Sequence, residues 1–561
     1  MFRPNQSAST SVKPRSQALE IVALREFDMV VIGGGIVGAG IAQNAASRGL
    51  SVLVIEKEDF ASGTSSKTTK LIHGGLRYLE QFHFHLTREL CHERALLETL
   101  APHMVRDFSF ILPLTKRNAL FGLKAQLGLT LYDLLAWSAT NSHHHQRIDQ
   151  RELLEAAPAL SPNVVTGGLR FHDCITDDSR LVIEVLKSAV AEGAHVVNYL
   201  EVTGFQTENN LVTAVECHDR YSGQEIIVKC KSCVNAAGVW SDKLLKKLDD
   251  SWRPTVSPAK GVHIMVPPSA FETNTALFLP TQDHRYVFVV PWNRSLMIGT
   301  TDTGYEGDID NPLPVQDEID YLLDVVNRYS GSNRLNRSDV TASWAGLRPL
   351  VGGATTDPKQ TGNLSREHLI FEGPGGIVGL IGGKLTNYRL MAVQVVDKVL
   401  AKIPLPTTKE ASTGRMMIGG WTDKNDFLAQ TASIASRARR LSIEPSTLDH
   451  LIASYGKDAA LVVDIIEQQP SLNQRICPDF PNVMAEVPHC VTNEMAVSLE
   501  DLLFRRMRLA MLHQKQTMDA APKVAQLMAE TLGWDNTRIN LELSALEKSL
   551  NEHITSFAAV T

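Results

Sequence analysis

The residues that most constrain this chain run from Phe27 to Glu56. Phe27 to Ile32 ends in an apolar run with the composition of a short buried strand, and Gly33-Gly34-Gly35-Ile36-Val37-Gly38 follows at once. Gly33, Gly35 and Gly38 fit G-x-G-x-x-G. An Ala-rich helical pattern over 39–48 stops at Gly49, and Val52 to Ile55 reads as a second buried strand closed by Glu56. Each glycine answers a separate demand: Gly33 the tight turn, Gly35 the approach of backbone to a pyrophosphate, Gly38 close packing of helix on strand. The helix N-terminus offers N–H groups and a positive dipole end to phosphates, and Glu56 offers acceptors to a ribose diol. The glycine pattern alone is common. Strand, turn, helix, strand and acid in that order predict a bound dinucleotide rather than a structural turn. Whether it is nicotinamide or flavin is decided by the rest of the chain.

At 561 residues the chain is long enough for two or three domains, each with a core. A net charge of −7 argues against general nucleic-acid binding. No run of about 18 apolar residues is present, so no transmembrane helix is expected. Seven scattered cysteines, an odd number, suit a reducing compartment rather than a disulfide framework. Cys230 and Cys233 form a C-x-x-C in a strand-like run, where residues three apart point to opposite faces, so incidental packing is expected there. His143-His144-His145 lies in a polar stretch and reads as a solvated loop, and no metal site is expected.

Met1 to Arg25 is polar and lacks an apolar signal core, so residues 1–26 read as a disordered tail; a mitochondrial presequence is the minor alternative. Ser62 to Leu79 is dense in hydroxyls, glycine and basic residues, a loop suited to lie along a phosphate chain and admit a flat ring. A helix is expected from Glu80 to Leu100 and a strand of another layer over Phe108–Leu114. Leu120 to Trp137 carries only Lys124 and Asp133 as charges and is either a buried cap helix or an interfacial membrane helix. Further strands form an antiparallel meander through 196–234 and a second sheet through 255–302. Gly375 to Arg389 reads as strand, glycine turn and helix, a second helix N-terminus fit to stabilise negative charge. A flavin gains such charge at N1/C2=O on reduction, and a nicotinamide enzyme has no use for it. From about Thr407 the pattern is helical.

These residues resemble the FAD-dependent glycerol-3-phosphate dehydrogenases. The likeness covers about Phe27 to Leu400 and continues into the helical part. It is carried by Gly33–Gly38, Ser65-Ser-Lys-Thr-Thr-Lys-Leu-Ile-His-Gly-Gly-Leu-Arg-Tyr-Leu79, Asn235–Trp240, Lys260–His263, Ile298–Asp302, Gly346-Leu-Arg-Pro349, Gly382-Gly-Lys-Leu-Thr-Asn-Tyr-Arg389 and Asp501–Arg506. Thr68-Thr69 stand where serines are usual, and Asn387 where threonine is. The resemblance implies an α/β fold: a Rossmann-like FAD domain of glutathione-reductase and D-amino-acid-oxidase type, an inserted mainly antiparallel substrate sheet, and a C-terminal all-helical domain. The expected pieces are 27–106, 165–252 and 342–404 for FAD, 107–164 and 253–341 for the substrate cap, and 405–561 for the helices.

The implied reaction oxidises sn-glycerol 3-phosphate to dihydroxyacetone phosphate, with hydride leaving C2 for flavin N5. His263 is the expected base, since histidine titrates near neutrality, and Arg348 the expected stabiliser of the alkoxide. Arg77, Tyr78, Arg348 and Lys384 are the expected substrate contacts; arginine suits a phosphate dianion. The bland alternative for each cation is a structural ion pair. FAD contacts are assigned to Gly33, Gly34, Gly35, Gly38, Glu56, Ser65, Ser66, Lys67, Leu71, His73, Gly74, Val202, Gly238, Gly383 and Thr386. A membrane quinone is the expected acceptor, with peripheral attachment to the inner face of the cytoplasmic membrane. The alternatives are an oxygen-using oxidase, another flavin amine or amino-acid oxidase, and a non-catalytic flavin-binding scaffold. The oligomeric state stays open.

Overall fold

The computed structural model describes residues 15–80, 82–116, 119–136, 144–283, 285–331, 335–352 and 368–554. Three sheets and a helical layer organise them. The first sheet has six strands in the order 369–372, 378–381, 233–235, 29–32, 52–55, 195–197. Its inner strands are parallel, with Val31 opposite Val234 on one side and Val54 on the other. Both faces are covered, so Met29–Ile32 and Val52–Ile55 are buried at every position, as a parallel sheet requires. The helices Ile36–Ser47 and Tyr388–Lys402 pack together on this sheet, and Gly40 makes their contact close: a Cβ there would lie 2.7 Å from the Tyr388 ring.

A three-stranded antiparallel sheet (200–208, 211–219, 225–229) is the expected meander. The ten-stranded sheet is mainly antiparallel and runs 303–304, 256–266, 295–299, 286–292, 276–280, 106–115, 165–175, 71–72. In addition, 342–351 lies beside 256–266 and 146–149 beside 165–175. The expected boundaries put Val165–Ile175 and Ala342–Val351 with the FAD pieces, but both strands belong to this second sheet. Each pairs there with a distant strand, Arg106–Thr115 and Val256–Val266, and sheet membership depends on that distant partner rather than on local sequence.

The N-terminal expectation is corrected in part. Residues 1–14 lie outside the described residues, but Arg15–Leu24 is a helix, not a disordered tail. Its Ala18 and Val22 are buried against the first sheet. Arg15 donates to the carbonyl of Asn198 at 3.0 Å and pairs with Asp219. Short polar sequence hid a helix whose order comes from docking.

The C-terminal part is helical, as expected, and includes Lys424–Arg440, Pro445–Tyr455, Ala459–Gln468 and Asn536–Ile554. These helices do not form a separate core. Their leucines and isoleucines join Met265, Trp292 and Trp344 of the large sheet in one apolar cluster. Buried ion pairs fasten the seam: Arg506 grips Asp59 through both oxygens at 2.7 and 2.8 Å, and Arg180 grips Glu494 at 2.6 and 2.7 Å.

The helix Ala119–Ala136 divides by face. Leu129, Tyr132 and Ala136 are buried, whereas Leu123, Leu127 and Leu134 are 61%, 65% and 67% exposed. Spacings of four and seven residues put those three leucines on one stripe. It is therefore a cap helix with an apolar outer face; Trp137 and His143 lie outside the described residues. His145 pairs with Asp133 at 2.7 Å. No helix among the described residues is long and apolar enough to cross a membrane, and all seven cysteines are buried and free.

Candidate active site

A cavity of about 420 Å³ opens at the carboxyl ends of the parallel strands, bounded by the two glycine turns. This is where an open α/β sheet binds its ligand. Gly33 and Gly35 line one end, Gly382, Gly383 and Lys384 another, and Ile36, Ile55, Val202, Leu244 and Leu380 give the wall an apolar character.

The first turn is glycine for steric reasons. Gly33 has φ +117°, and a Cβ on it would lie 2.5 Å from the Ala236 carbonyl; a Cβ on Gly38 would lie 1.9 Å from the Gly33 carbonyl. Gly34 N–H donates to Glu56 Oε2 at 2.7 Å, and Glu58 N–H to Oε1 at 2.9 Å. Burial pushes the Glu56 carboxyl above the usual carboxylate range, against the pull of those two bonds. Glu56 lines the cavity, and a carboxylate with one bond to each oxygen keeps further acceptor capacity. Ser65 lines the cavity, and its Oγ accepts from Ile36 N–H at 3.0 Å, capping the helix start. Gly238 has φ +56° and nothing within 4 Å of where its Cβ would be. Glycine-walled, mostly apolar and ending at a helix N-terminus, these residues fit a flavin dinucleotide, and they are the ones that would hold it.

The other expected FAD residues stand behind this wall. Ser66 and Leu71 are buried. Lys67 lies near Glu500 and Arg505 of the C-terminal helices, and burial, with Arg505, pulls its ammonium down to about 8. Thr386 Oγ1 accepts from His73 N–H at 3.1 Å and donates to the His73 carbonyl at 3.2 Å, tying the hydroxyl-rich loop to the second glycine turn. Gly74 faces Cys91 and Tyr132, each 2.4 Å from where a Cβ would be, and donates to the Tyr132 hydroxyl at 2.8 Å. Asn387, the departure from threonine, accepts from Lys384 N–H at 3.1 Å and donates to Glu89 at 2.7 Å.

Of the expected substrate residues, Lys384 lines the cavity, and its ammonium lies 5.3 Å from the centre of the buried Tyr78 ring. Arg348, next to the cavity-lining Pro349, spreads its guanidinium over Thr300 Oγ1 (3.0 Å), the Thr301 carbonyl (3.3 Å) and Asp302 (3.4 Å). The side chain of Arg77, on the helix Leu76–Glu80, lies outside the described residues. His263 is buried, its ring stacked on Trp344 at 5.3 Å and 10°, with Nε2 3.0 Å from Thr69 Oγ1. Burial, then the charges of Lys70 and Arg348, hold its pKa well below 6.5, so the imidazole is neutral at pH 7.

Sequence reasoning missed Trp240, Lys247 and Asp310 of the cavity wall. Asp310, on the loop that follows the large sheet's strand 303–304, reaches the segment after strand 233–235, accepting from Trp240 Nε1 at 2.6 Å and pairing with Lys243 at 3.2 Å. Nothing local to 305–315 marks it; its role comes from a loop of one domain reaching the other.

The family model described as "FAD dependent oxidoreductase" matches residues 28–388, and that described as "C-terminal domain of alpha-glycerophosphate oxidase" matches 411–539. A glycerol-3-phosphate dehydrogenase of Mycobacterium leprae is 34% identical over 545 residues, covering 97% of this chain and 91% of that protein. An aerobic glycerol-3-phosphate dehydrogenase of Staphylococcus saprophyticus is 31% identical, covering 97% and 98%. Among solved structures, the glycerol-3-phosphate dehydrogenase from Bacillus halodurans complexed with FAD has a TM-score of 0.80 at 28% identity, covering 99% of this chain and 100% of that one.

Proposed function

The chain belongs to the FAD-dependent glycerol-3-phosphate dehydrogenases, and from that premise we propose that it oxidises sn-glycerol 3-phosphate at C2 and passes the electrons to a membrane quinone. The observation that carries this reading is that the Gly33–Gly35 turn, the Gly382–Gly383 turn and Lys384 line one and the same cavity. Bound FAD, which the Gly33–Gly38 turn, Glu56 and the Gly382–Gly383 turn would hold, would supply the two-electron acceptor for the hydride from C2. The protein's own groups handle the rest. Lys384, Arg348 and Arg77 bind the phosphate dianion and the C2 oxygen, Arg348 stabilising the alkoxide character that develops there. Tyr78 carries Lys384 on its ring face and orients the substrate. His263 takes the C2 hydroxyl proton; it is neutral in the free protein rather than the expected group titrating near neutrality, and the burial and cations that hold its pKa down make it a weaker base than a free imidazole.

The exposed stripe of Leu123, Leu127 and Leu134 supports the quinone as acceptor. An apolar helix face of this kind rests in a bilayer surface without spanning it. The site of action that follows is the inner face of the cytoplasmic membrane.

The test is an anaerobic absorbance spectrum of the purified protein before and after glycerol 3-phosphate. Bleaching of the flavin band, reversed by a ubiquinone analogue and only slowly by air, is the expected result. Fast recovery in air would move the assignment to an oxidase, and a band that persists with glycerol 3-phosphate would overturn the substrate.

A further inference from the structure

Two non-glycine residues with left-handed backbone meet at one buried carboxylate. Lys70 (φ 58°) and Arg508 (φ 67°) both pair with Asp178, at 3.0 and 2.9 Å, and all three side chains are at most 1% exposed. Backbone of this kind at non-glycine residues persists only where its surroundings over-determine it, and it concentrates at functional sites. What this cluster fixes is the loop 66–70. Asp178 Oδ2 accepts from Thr68 N–H at 3.0 Å and from Thr68 Oγ1 at 2.7 Å. Arg508 and Lys70 both donate to the Ser66 carbonyl, at 2.9 and 3.2 Å.

Thr69 is thereby held between two pinned neighbours, with its hydroxyl 3.0 Å from His263 Nε2. Trp344 stacks on the other side of the contact, with Lys70 Nζ 5.1 Å from the centre of that indole. His263 Nδ1 is buried and, among the described residues, has no hydrogen-bond partner. A ring closed at Nδ1 exchanges a proton only at Nε2, where the Thr69 hydroxyl stands.

We propose that Thr69 is a positioning residue for the oxidation, setting Nε2 of His263 as the proton-accepting atom. Its hydroxyl donates to the neutral ring, which fixes the tautomer with hydrogen on Nδ1, and rotates to accept from Nε2–H once the ring is protonated. In the step itself the C2 hydroxyl takes the place of the Thr69 hydroxyl at the one lone pair of Nε2, its O–H bond breaks and an N–H bond forms at Nε2, while the C2 hydrogen leaves with its electron pair, which bound FAD would accept. The inference rests on His263 being the base. It gives the C-terminal helices a part in catalysis, since Arg508 belongs to them and holds the loop that holds Thr69.

The experiment compares Thr69→Val and Thr69→Ser in FAD-loaded protein, with flavin content and melting temperature checked for each. Valine keeps the shape and removes the hydroxyl. The expected result is a fall in kcat of about tenfold or more, with KM for glycerol 3-phosphate within about threefold, and recovery of most of kcat by serine. The valine variant loses the hydroxyl both as donor to the neutral ring and as acceptor from the imidazolium, and the charge-assisted bond to the imidazolium is the stronger of the two. The acid limb of kcat/KM therefore moves about one unit down in pH, a change that loosened packing would not produce. The charges facing the ring, Lys70 and Asp178 from the loop side, Arg348 with Asp302 from the sheet and Arg508 from the C-terminal helices, are the same in both variants. Thr69→Ala serves if valine fails to load FAD. Wild-type kcat and an unmoved limb in the hydroxyl-free variant, or serine no better than valine, would overturn the inference. His263→Asn assayed alongside separates the two levels: full activity there overturns the base itself, while inactivity beside a wild-type valine variant overturns only the role of Thr69.

Discussion

Gly38→Ala tests whether the first glycine turn is built for the cofactor. The added Cβ would lie 1.9 Å from the Gly33 carbonyl, where ordinary contact begins near 3.4 Å. Backbone cannot rotate out of the way as a side-chain tip can. The helix Ile36–Ser47 must therefore move off the strand by about 1.5 Å at its start, taking its N-terminal N–H groups with it. Overpacking of this kind costs about 1–3 kcal/mol. If the strain is felt where the phosphates bind, FAD affinity falls roughly 5- to 150-fold, since each 1.4 kcal/mol is about tenfold. The assay is FAD fluorescence quenching on deflavinated protein, with far-UV circular dichroism to confirm the fold. Gly193→Ala is the control. It also sits at positive φ (+101°), but its Cβ meets nothing within 4 Å and it does not line the cavity. It should cost about 1 kcal/mol of stability and leave FAD affinity alone. A Gly38→Ala protein that binds FAD within twofold of the parent, or a Gly193→Ala protein equally weakened, would refute the reasoning.

Two further outcomes follow from buried histidines and exposed leucines. Burial, with Lys187 and Arg180 adding to it, holds His103 at about 3, and His263 is also held well below 6.5. The unfolded chain protonates both near pH 6.5 and the folded chain does not. Their contribution is therefore complete above that pH and lost as pH falls below it, by about 1.4 kcal/mol per unit for each; His103→Leu should flatten the fall of melting temperature between pH 7 and pH 5, and an unchanged slope would count against the assignment. Replacing Leu123, Leu127 and Leu134 together by serine should weaken cosedimentation with anionic lipid vesicles about tenfold or more while leaving turnover with a soluble dye acceptor intact; undiminished vesicle binding would remove that face from the membrane contact.

The sequence by itself determined the elements whose information is local. Gly33, Gly35 and Gly38 between two apolar runs specify the dinucleotide turn, and at Gly33 and Gly38 backbone sterics leave no other residue. The turn at Gly382–Gly383 and the helices after Lys424 are legible for similar reasons of φ and period. The run Ser65 to Leu79 marked the right loop but not the work of each residue in it: Ser65 faces the cavity, Thr386 fastens His73, and Gly74 turns to Tyr132. Only the tertiary structure decided the pairings between distant residues. It put Val165–Ile175 and Ala342–Val351 in the large sheet, joined the helical core to that sheet, ordered Arg15–Leu24 by docking, and brought Asp310 to Trp240. It also placed Thr69 on His263 and gathered Lys70, Asp178 and Arg508 beneath them. The reason is physical. Turn conformation and helical period are fixed by neighbours along the chain, whereas sheet membership, buried charge pairing and the state of an imidazole depend on groups that meet only when remote segments close on one another.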